Sequence, residues 1–75
     1  MANQDKFAGV IITVRQVVLN DYGKDENGAR WMFPCVYDYE MRDERPTRMS
    51  APSREEFTNK LKWMYPGASI KYVEG

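Results

Sequence analysis

Two segments in the first half of the chain alternate hydrophobic and polar residues with the period of a β-strand. In residues 7–19, FAGVIITVRQVVL, β-branched residues dominate, and Ile12 and Val14 share one face. The opposite face is also partly apolar, which predicts a central strand that is covered on both sides. We expect a bulge in this strand near Arg15 and Gln16.

The segment 30–42 has the clearest alternation in the chain. Pro34 has no N–H to donate to a ladder, so this strand is expected to lie at a sheet edge or to carry a bulge there. Residues 20–29 form a hairpin loop between the two strands, with Asn27-Gly28 as its tight turn. The predicted inner face of the second strand is aromatic and apolar, with Trp31, Phe33, Cys35, Tyr37, Tyr39 and Met41 at every second position.

The second half of the chain predicts one helix and one further strand. Residues 43–52 are a polar connection, and Ser53 and Glu56 have the spacing of a capping box that opens a helix. Pro66-Gly67 ends that helix, and residues 68–73 form a last strand. The residues expected on the inner side of these two elements are Phe57, Leu61, Met64, Tyr65, Ala68, Ile70 and Tyr72.

These elements predict a flexible N-terminus, 1–6, followed by a single α+β domain, 7–75. The order is ββαβ, with an antiparallel sheet of about three strands and one helix packed on one face. The predicted core consists of Val10 or Ile11 together with Ile12, Val14, Trp31, Phe33, Cys35, Tyr37, Phe57, Leu61, Met64 and Ile70.

Composition narrows the possible functions. The 75 residues include 11 basic and 11 acidic side chains, and a net charge of zero disfavours a protein that mainly neutralises phosphates. The absence of histidine removes the usual general base and most zinc sites. A single cysteine allows no internal disulfide and indicates a reducing compartment. Because neither a signal peptide nor a membrane span is recognisable, we expect a cytoplasmic protein.

Residues with catalytic chemistry are few and have simple structural explanations. Cys35 falls on the predicted inner face of a strand, and Ser53 is predicted to cap the helix. The segment Asp21–Gly28 is superficially similar to a calcium loop but lacks the closing glutamate. We therefore expect no enzymatic activity, no cofactor and no metal.

The predicted outer face of the sheet is more apolar than a monomer requires, because it carries Met32 and Val36. Trp63 lies about 120° from Phe57 around the helix, and we expect it to pack under the last strand rather than to be exposed. Exposed apolar faces and strand edges are typical of partner surfaces, so these features predict a binding protein.

The segment Leu61–Val73, LKWMYPGASIKYV, resembles the helix end and returning strand of a small inhibitor of bacterial RNA polymerase made by T-odd podophages. The resemblance covers less than a fifth of the chain and implies a phage-encoded protein that binds the β′ jaw of the polymerase and hinders promoter opening. The family's last strand carries arginines involved in binding, whereas this chain has only Lys71 in a comparable place.

We therefore expect a non-enzymatic, phage-type protein that inhibits a bacterial host protein by steric occlusion, with RNA polymerase as the first candidate. Two alternatives are an inhibitor of a host defence system such as a CRISPR effector, and a small domain that binds single-stranded nucleic acid. The chain is expected to be a monomer or a homodimer. The predicted partner-binding residues are Met32, Val36, Arg42, Arg45, Arg48, Arg54, Trp63 and Lys71.

Overall fold

A computed structural model of the chain describes residues 6–42 and 44–74, so the predicted flexible N-terminus lies outside it except for Lys6. These residues form a four-stranded mixed sheet with one helix, which confirms the α+β class. The strands are β1 (Ile11–Val17), β2 (Cys35–Met41), β3 (Thr47–Ala51) and β4 (Ser69–Val73), and the helix is α1 (Arg54–Met64). The strand order across the sheet is β3-β2-β1-β4.

Strand β3 lies where the sequence predicted only a polar connection, so the order is βββαβ. It pairs antiparallel with β2, from Cys35 opposite Ala51 to Tyr39 opposite Thr47. A tight turn after β2 makes this pairing possible, because Glu44 donates its N–H to the carbonyl of Met41. The strand escaped prediction because it lies at the sheet edge, where polar side chains are tolerated.

Strand β1 is central, as its two apolar faces predicted. It pairs antiparallel with β2 and parallel with β4, so the predicted antiparallel sheet of about three strands is corrected to a mixed sheet of four. The register is continuous from Ile12 opposite Met41 to Val17 opposite Val36, so the bulge expected near Arg15 and Gln16 is wrong. The sheet edge or bulge predicted for the second strand at Pro34 is also wrong, because β2 lies inside the sheet and avoids Pro34 by beginning at the next residue.

The main core lies between the sheet and α1. Phe57 is fully buried, and its ring centroid lies 4.6 Å from that of Tyr37. The predicted core residues Ile12, Val14, Tyr37, Phe57 and Leu61 are confirmed as buried. Three further predicted residues, Cys35, Met64 and Ile70, are half-buried and pack against this cluster.

Three predicted core residues lie elsewhere. Phe33 precedes β2 and is 40% exposed, because the strand alternation is broken at Pro34. Trp31 is half-buried in the β1–β2 connection instead of on the inner face. Ile11, the alternative to Val10, is 56% exposed because it points away from α1.

Both predicted ends of the helix are confirmed. The Ser53 hydroxyl accepts a hydrogen bond from the Glu56 N–H at 3.2 Å, as a helix cap does. After the helix the chain turns through Gly67, whose φ of 90° favours glycine. This turn aligns β4 so that Ala68, Ile70 and Tyr72 pack against the core. No helix in the described part of the chain has the length and apolar character needed to cross a membrane.

Candidate functional site

The outer face of the sheet, which is the face away from α1, is divided into two halves. At one end the β1–β2 connection, residues 18–34, folds back over it. Val17 and Val36 lie opposite each other there and are 8% and 0% exposed, although neither belongs to the core under α1. Val36 was predicted to be an exposed partner-binding residue. This prediction is wrong, because Val36 is buried where the returning connection lies over the sheet.

Asp25 organises the connection. Its Oδ1 accepts hydrogen bonds from the backbone N–H groups of Asn27 and Ala29, at 2.9 and 3.0 Å. Its Oδ2 accepts a bond from the Trp31 indole N–H at 2.9 Å. The predicted turn at Asn27-Gly28 is confirmed, because Gly28 has a φ of 82° and donates its N–H to the Asp25 carbonyl. The carboxylate therefore holds a loop in a fixed shape.

Arg48 ties this loop to the sheet. Its guanidinium donates to both carboxylate oxygens of Asp38, at 2.6 and 2.8 Å, and Asp38 is its neighbour across the β2–β3 ladder. The same group reaches Asp25 at 2.9 Å and Glu26 at 2.9 and 3.1 Å. We call these four side chains, Asp25, Glu26, Asp38 and Arg48, the clamp.

The clamp perturbs the acidity of its own members. The pKa of Asp25 falls to about 2, chiefly because the Trp31 indole N–H stabilises the carboxylate, with further hydrogen bonds from the backbone and from Arg48. The Arg48 guanidinium also lowers the pKa of Glu26. The pKa of Arg48 is raised in turn, first by its bonds to Asp38 and then by those to Glu26. Arg48 is therefore engaged inside the molecule and has little capacity left for a partner.

At the other end no described segment of the chain folds over the outer face. Ile11 and Thr13 of β1 line a shallow depression of about 340 Å³ with Glu40 and Arg42. Lys71 lies beside Thr13 across the β1–β4 ladder, and Arg15 is the next outward residue of β1. The residues that we call the open face are Ile11, Thr13, Arg15, Glu40, Arg42 and Lys71.

The open face is cationic. It carries three basic side chains, Arg15, Arg42 and Lys71, and one acidic residue, Glu40, and Asp38 of the clamp lies opposite Arg15 across the β1–β2 ladder. Among residues 6–42 and 44–74 every ion pair within 4.0 Å involves Arg48, so these three cations have no carboxylate partner there. The sequence predicted Arg42 and Lys71 as binding residues, and the structure brings them to one face. The sequence did not indicate Ile11 and Arg15 as binding residues, because their outward direction depends on the register of β1.

A second exposed surface lies between α1 and β3. Trp63 is 81% exposed, so the expectation that it packs under the last strand is wrong. It lines a groove of about 440 Å³ that we call the Trp63 groove, with Phe33, Ala51, Pro52, Glu56 and Lys60 among its walls. Met32 is 90% exposed and lines neighbouring depressions on the other side of Phe33.

The remaining two predicted binding residues lie apart from both surfaces. Arg54 stacks its guanidinium over the Tyr72 ring, 3.9 Å from the ring centroid, beside a cavity of about 390 Å³. Arg45 is exposed between β2 and β3. The eight predicted residues are thus distributed over several regions: Arg42 and Lys71 share the open face, whereas Trp63 and Met32 line different depressions.

The described side chains show no arrangement of three or more Cys, Asp or Glu groups that would hold a metal ion. The Asp25 oxygens, which the calcium-like segment would have used, are already occupied by the loop and by Arg48. No protein-family model, no curated protein and no solved structure matches this chain.

Proposed function

We propose that this chain is a non-catalytic, phage-encoded protein that binds a protein of the bacterial host and inhibits it by covering part of its surface. The observation that supports this proposal best is the open face, where three cations that have no carboxylate partner among the described residues lie on the same face as the exposed Ile11. A protein partner with an acidic surface and an apolar contact for Ile11 would complement this arrangement.

The chemistry of the open face suits protein recognition. Arg15, Arg42 and Lys71 present charge on this face around Thr13, and Ile11 offers apolar area at one end of it. Protein interfaces combine apolar contacts with polar and charged groups. Charges at the rim mainly orient the partner and speed its association, and they contribute less to affinity itself.

A nucleic-acid partner fits the same face less well. Proteins that bind single strands stack bases on exposed aromatic side chains. The strand tyrosines Tyr37, Tyr39 and Tyr72 instead pack into the core under α1. Glu40 would also repel phosphates from the middle of the cationic group, and the chain as a whole has no net positive charge. Nucleic-acid binding is therefore the alternative outcome of the test below.

RNA polymerase is the first partner to test because of the resemblance in residues 61–73. Inhibition would then follow from occlusion of a surface that the polymerase needs for promoter opening. A host defence enzyme such as a CRISPR effector is the second candidate, since the same surface chemistry would serve there.

The experiment is affinity capture from a bacterial lysate treated with nuclease, with captured proteins identified by mass spectrometry. The test variant is Arg42→Glu/Lys71→Glu, which reverses two charges of the open face. The matched control is Arg30→Glu/Lys62→Glu, which changes net charge equally at two exposed positions outside that face. We expect stoichiometric recovery of one host protein with the wild type and with the control, and at least a tenfold loss with the test variant.

A transcription assay with purified RNA polymerase follows if the polymerase subunits are recovered. Recovery of a different single host protein would discard the polymerase and retain the proposed class of function. Equal capture by the test variant would remove the open face as the binding surface. Tight, salt-sensitive binding of an oligonucleotide without any captured protein would replace the proposal with the nucleic-acid alternative.

A further inference from the structure

The Trp63 groove lies on the flank of α1 that borders the edge strand β3. Glu56, Lys60 and Trp63 follow one another at helical spacing and form a stripe along this flank. Ala51 and Pro52, at the end of β3, and Phe33 form the opposite wall. The groove therefore combines one side of a helix with the end of an edge strand.

Strand β3 has an open side. It is the first strand of the sheet order, and among residues 6–42 and 44–74 it pairs only with β2. The outward backbone N–H and C=O groups of such a strand can pair with another extended strand. An occupant of this surface that supplied a strand beside β3 would also bring side chains to the groove next to it.

The charges of the groove are self-complementary. Glu56 and Lys60 lie one helical turn apart, so two copies of α1 that run antiparallel can place Glu56 of each copy opposite Lys60 of the other. This reciprocity is the pattern required by a two-fold interface, in which the same patch is used by both copies. The zero net charge of the chain adds no long-range repulsion between two copies.

The shape of the Trp63 groove is also self-complementary. Trp63 is 81% exposed at one end of the stripe, and the apolar wall formed by Phe33, Ala51 and Pro52 lies across from it. In an antiparallel pair, the Trp63 end of one copy meets the Pro52 end of the other. The groove, at about 440 Å³, has room for an indole ring.

From these observations we propose that a second copy of this chain occupies the Trp63 groove. The two β3 strands pair antiparallel, the sheets join into one of eight strands, and each copy inserts Trp63 beside Phe33 and Pro52 of the other. The open face is not part of this interface, so the dimer presents two copies of the open face to its partner.

The first test measures the association of the full chain by sedimentation equilibrium over a wide range of protein concentration. We expect a monomer–dimer equilibrium, and Trp63→Ala should raise its dissociation constant at least about 30-fold, which is the effect of a central interface residue. The matched control is Met32→Ala, because Met32 is 90% exposed but does not line the groove. This control should change the dissociation constant less than about threefold.

The second test probes the reciprocal charges. Each single variant, Glu56→Lys or Lys60→Glu, creates two like-charge contacts in the dimer, one on each side of the two-fold axis. Each should weaken the dimer about tenfold. The double variant Glu56→Lys/Lys60→Glu restores both pairs and should return the dissociation constant to within about threefold of the wild type. Circular dichroism of each variant verifies that α1 is intact.

A chain that stays monomeric at the highest concentration overturns the proposal, as does a dimer that Trp63→Ala leaves unchanged. Failure of the double variant to regain association, with its helix intact, overturns the antiparallel arrangement. Arg42→Glu/Lys71→Glu should dimerise like the wild type. Loss of host-protein capture with that variant therefore tests the proposed function independently of the dimer.

Discussion

The two covered regions of the sheet are closed by different physical means. On the inner face α1 contributes Phe57 and Leu61, both fully buried, to a continuous apolar core. On the outer face the β1–β2 connection covers Val17 and Val36 and is fastened by the clamp around Arg48. The first closure depends on buried apolar area, whereas the second depends on directed hydrogen bonds between charged groups.

The difference has consequences for stability and for function. Apolar burial involves no charge that pH can change or salt can screen, but a partly exposed set of ion pairs responds to both. The β1–β2 connection covers only half of the outer face, so the residues beyond it remain accessible. The open face is thus a consequence of how far the connection reaches.

The largest expected effect tests the inner face. Phe57→Ala should lower the free energy of unfolding by about 3–5 kcal/mol, because it leaves a cavity in the only helix–sheet contact of the described residues. Val36→Ala should cost about half as much, since fewer apolar atoms are removed from the smaller outer cluster. Urea unfolding monitored by circular dichroism measures both, and equal costs would contradict the contrast between the faces.

The next effect tests the clamp. Arg48→Met removes the donor that Asp25, Glu26 and Asp38 share and leaves three carboxylates close together. We expect the melting temperature to fall by about 10 °C. The control is Arg45→Met, because Arg45 is exposed and takes part in none of the clamp contacts. An Arg48→Met variant as stable as this control would show that the connection is held by other contacts.

A smaller effect is expected in the pH dependence of the melting temperature, which reports the charge of the clamp. The pKa of Asp25 is about 2 in the folded chain against an ordinary value of 3.8, so the unfolded chain binds the proton more readily. The stabilisation from Asp25 is therefore complete above about pH 5 and is lost progressively as the pH falls through about 2. Asp25→Asn should flatten the decline of melting temperature over this interval. An unchanged decline would mean that Asp25 is not held as a carboxylate.

The inner face was largely predictable from the sequence. The positions of Ile12, Val14, Tyr37, Phe57 and Leu61 follow strand or helix periodicity, and Ser53 and Pro66-Gly67 mark the helix ends. Periodicity failed at Phe33 because the chain leaves the strand at Pro34. It failed at β3 because a five-residue edge strand with Thr47, Arg48 and Ser50 has too few apolar positions to show alternation.

The outer face was much less predictable. The clamp joins residues that are up to 23 positions apart, and no local pattern indicates which carboxylates an arginine will contact. The one local signal is Asp25 two residues before Asn27-Gly28, which is typical of a side chain that hydrogen-bonds its own turn. No pattern in the sequence shows that residues 18–34 fold back over the sheet. Val36 was therefore expected to be exposed, and Arg48 was expected to be free to bind a partner. Arg42 and Lys71 were identified, but the face they share depends on the register of β1 with its neighbours.

The most direct measurement compares host-protein capture by two variants under conditions in which both are folded. Arg42→Glu/Lys71→Glu should lose capture at least tenfold while its melting temperature stays within about 3 °C of the wild type, since both residues are exposed. The Arg48→Met variant should have a lower melting temperature than the wild type and should still capture the host protein, because the clamp stabilises the fold without forming the binding surface. Capture that survives in the first variant, or disappears in the folded Arg48→Met protein, would contradict this division between a structural half and a binding half of the outer face.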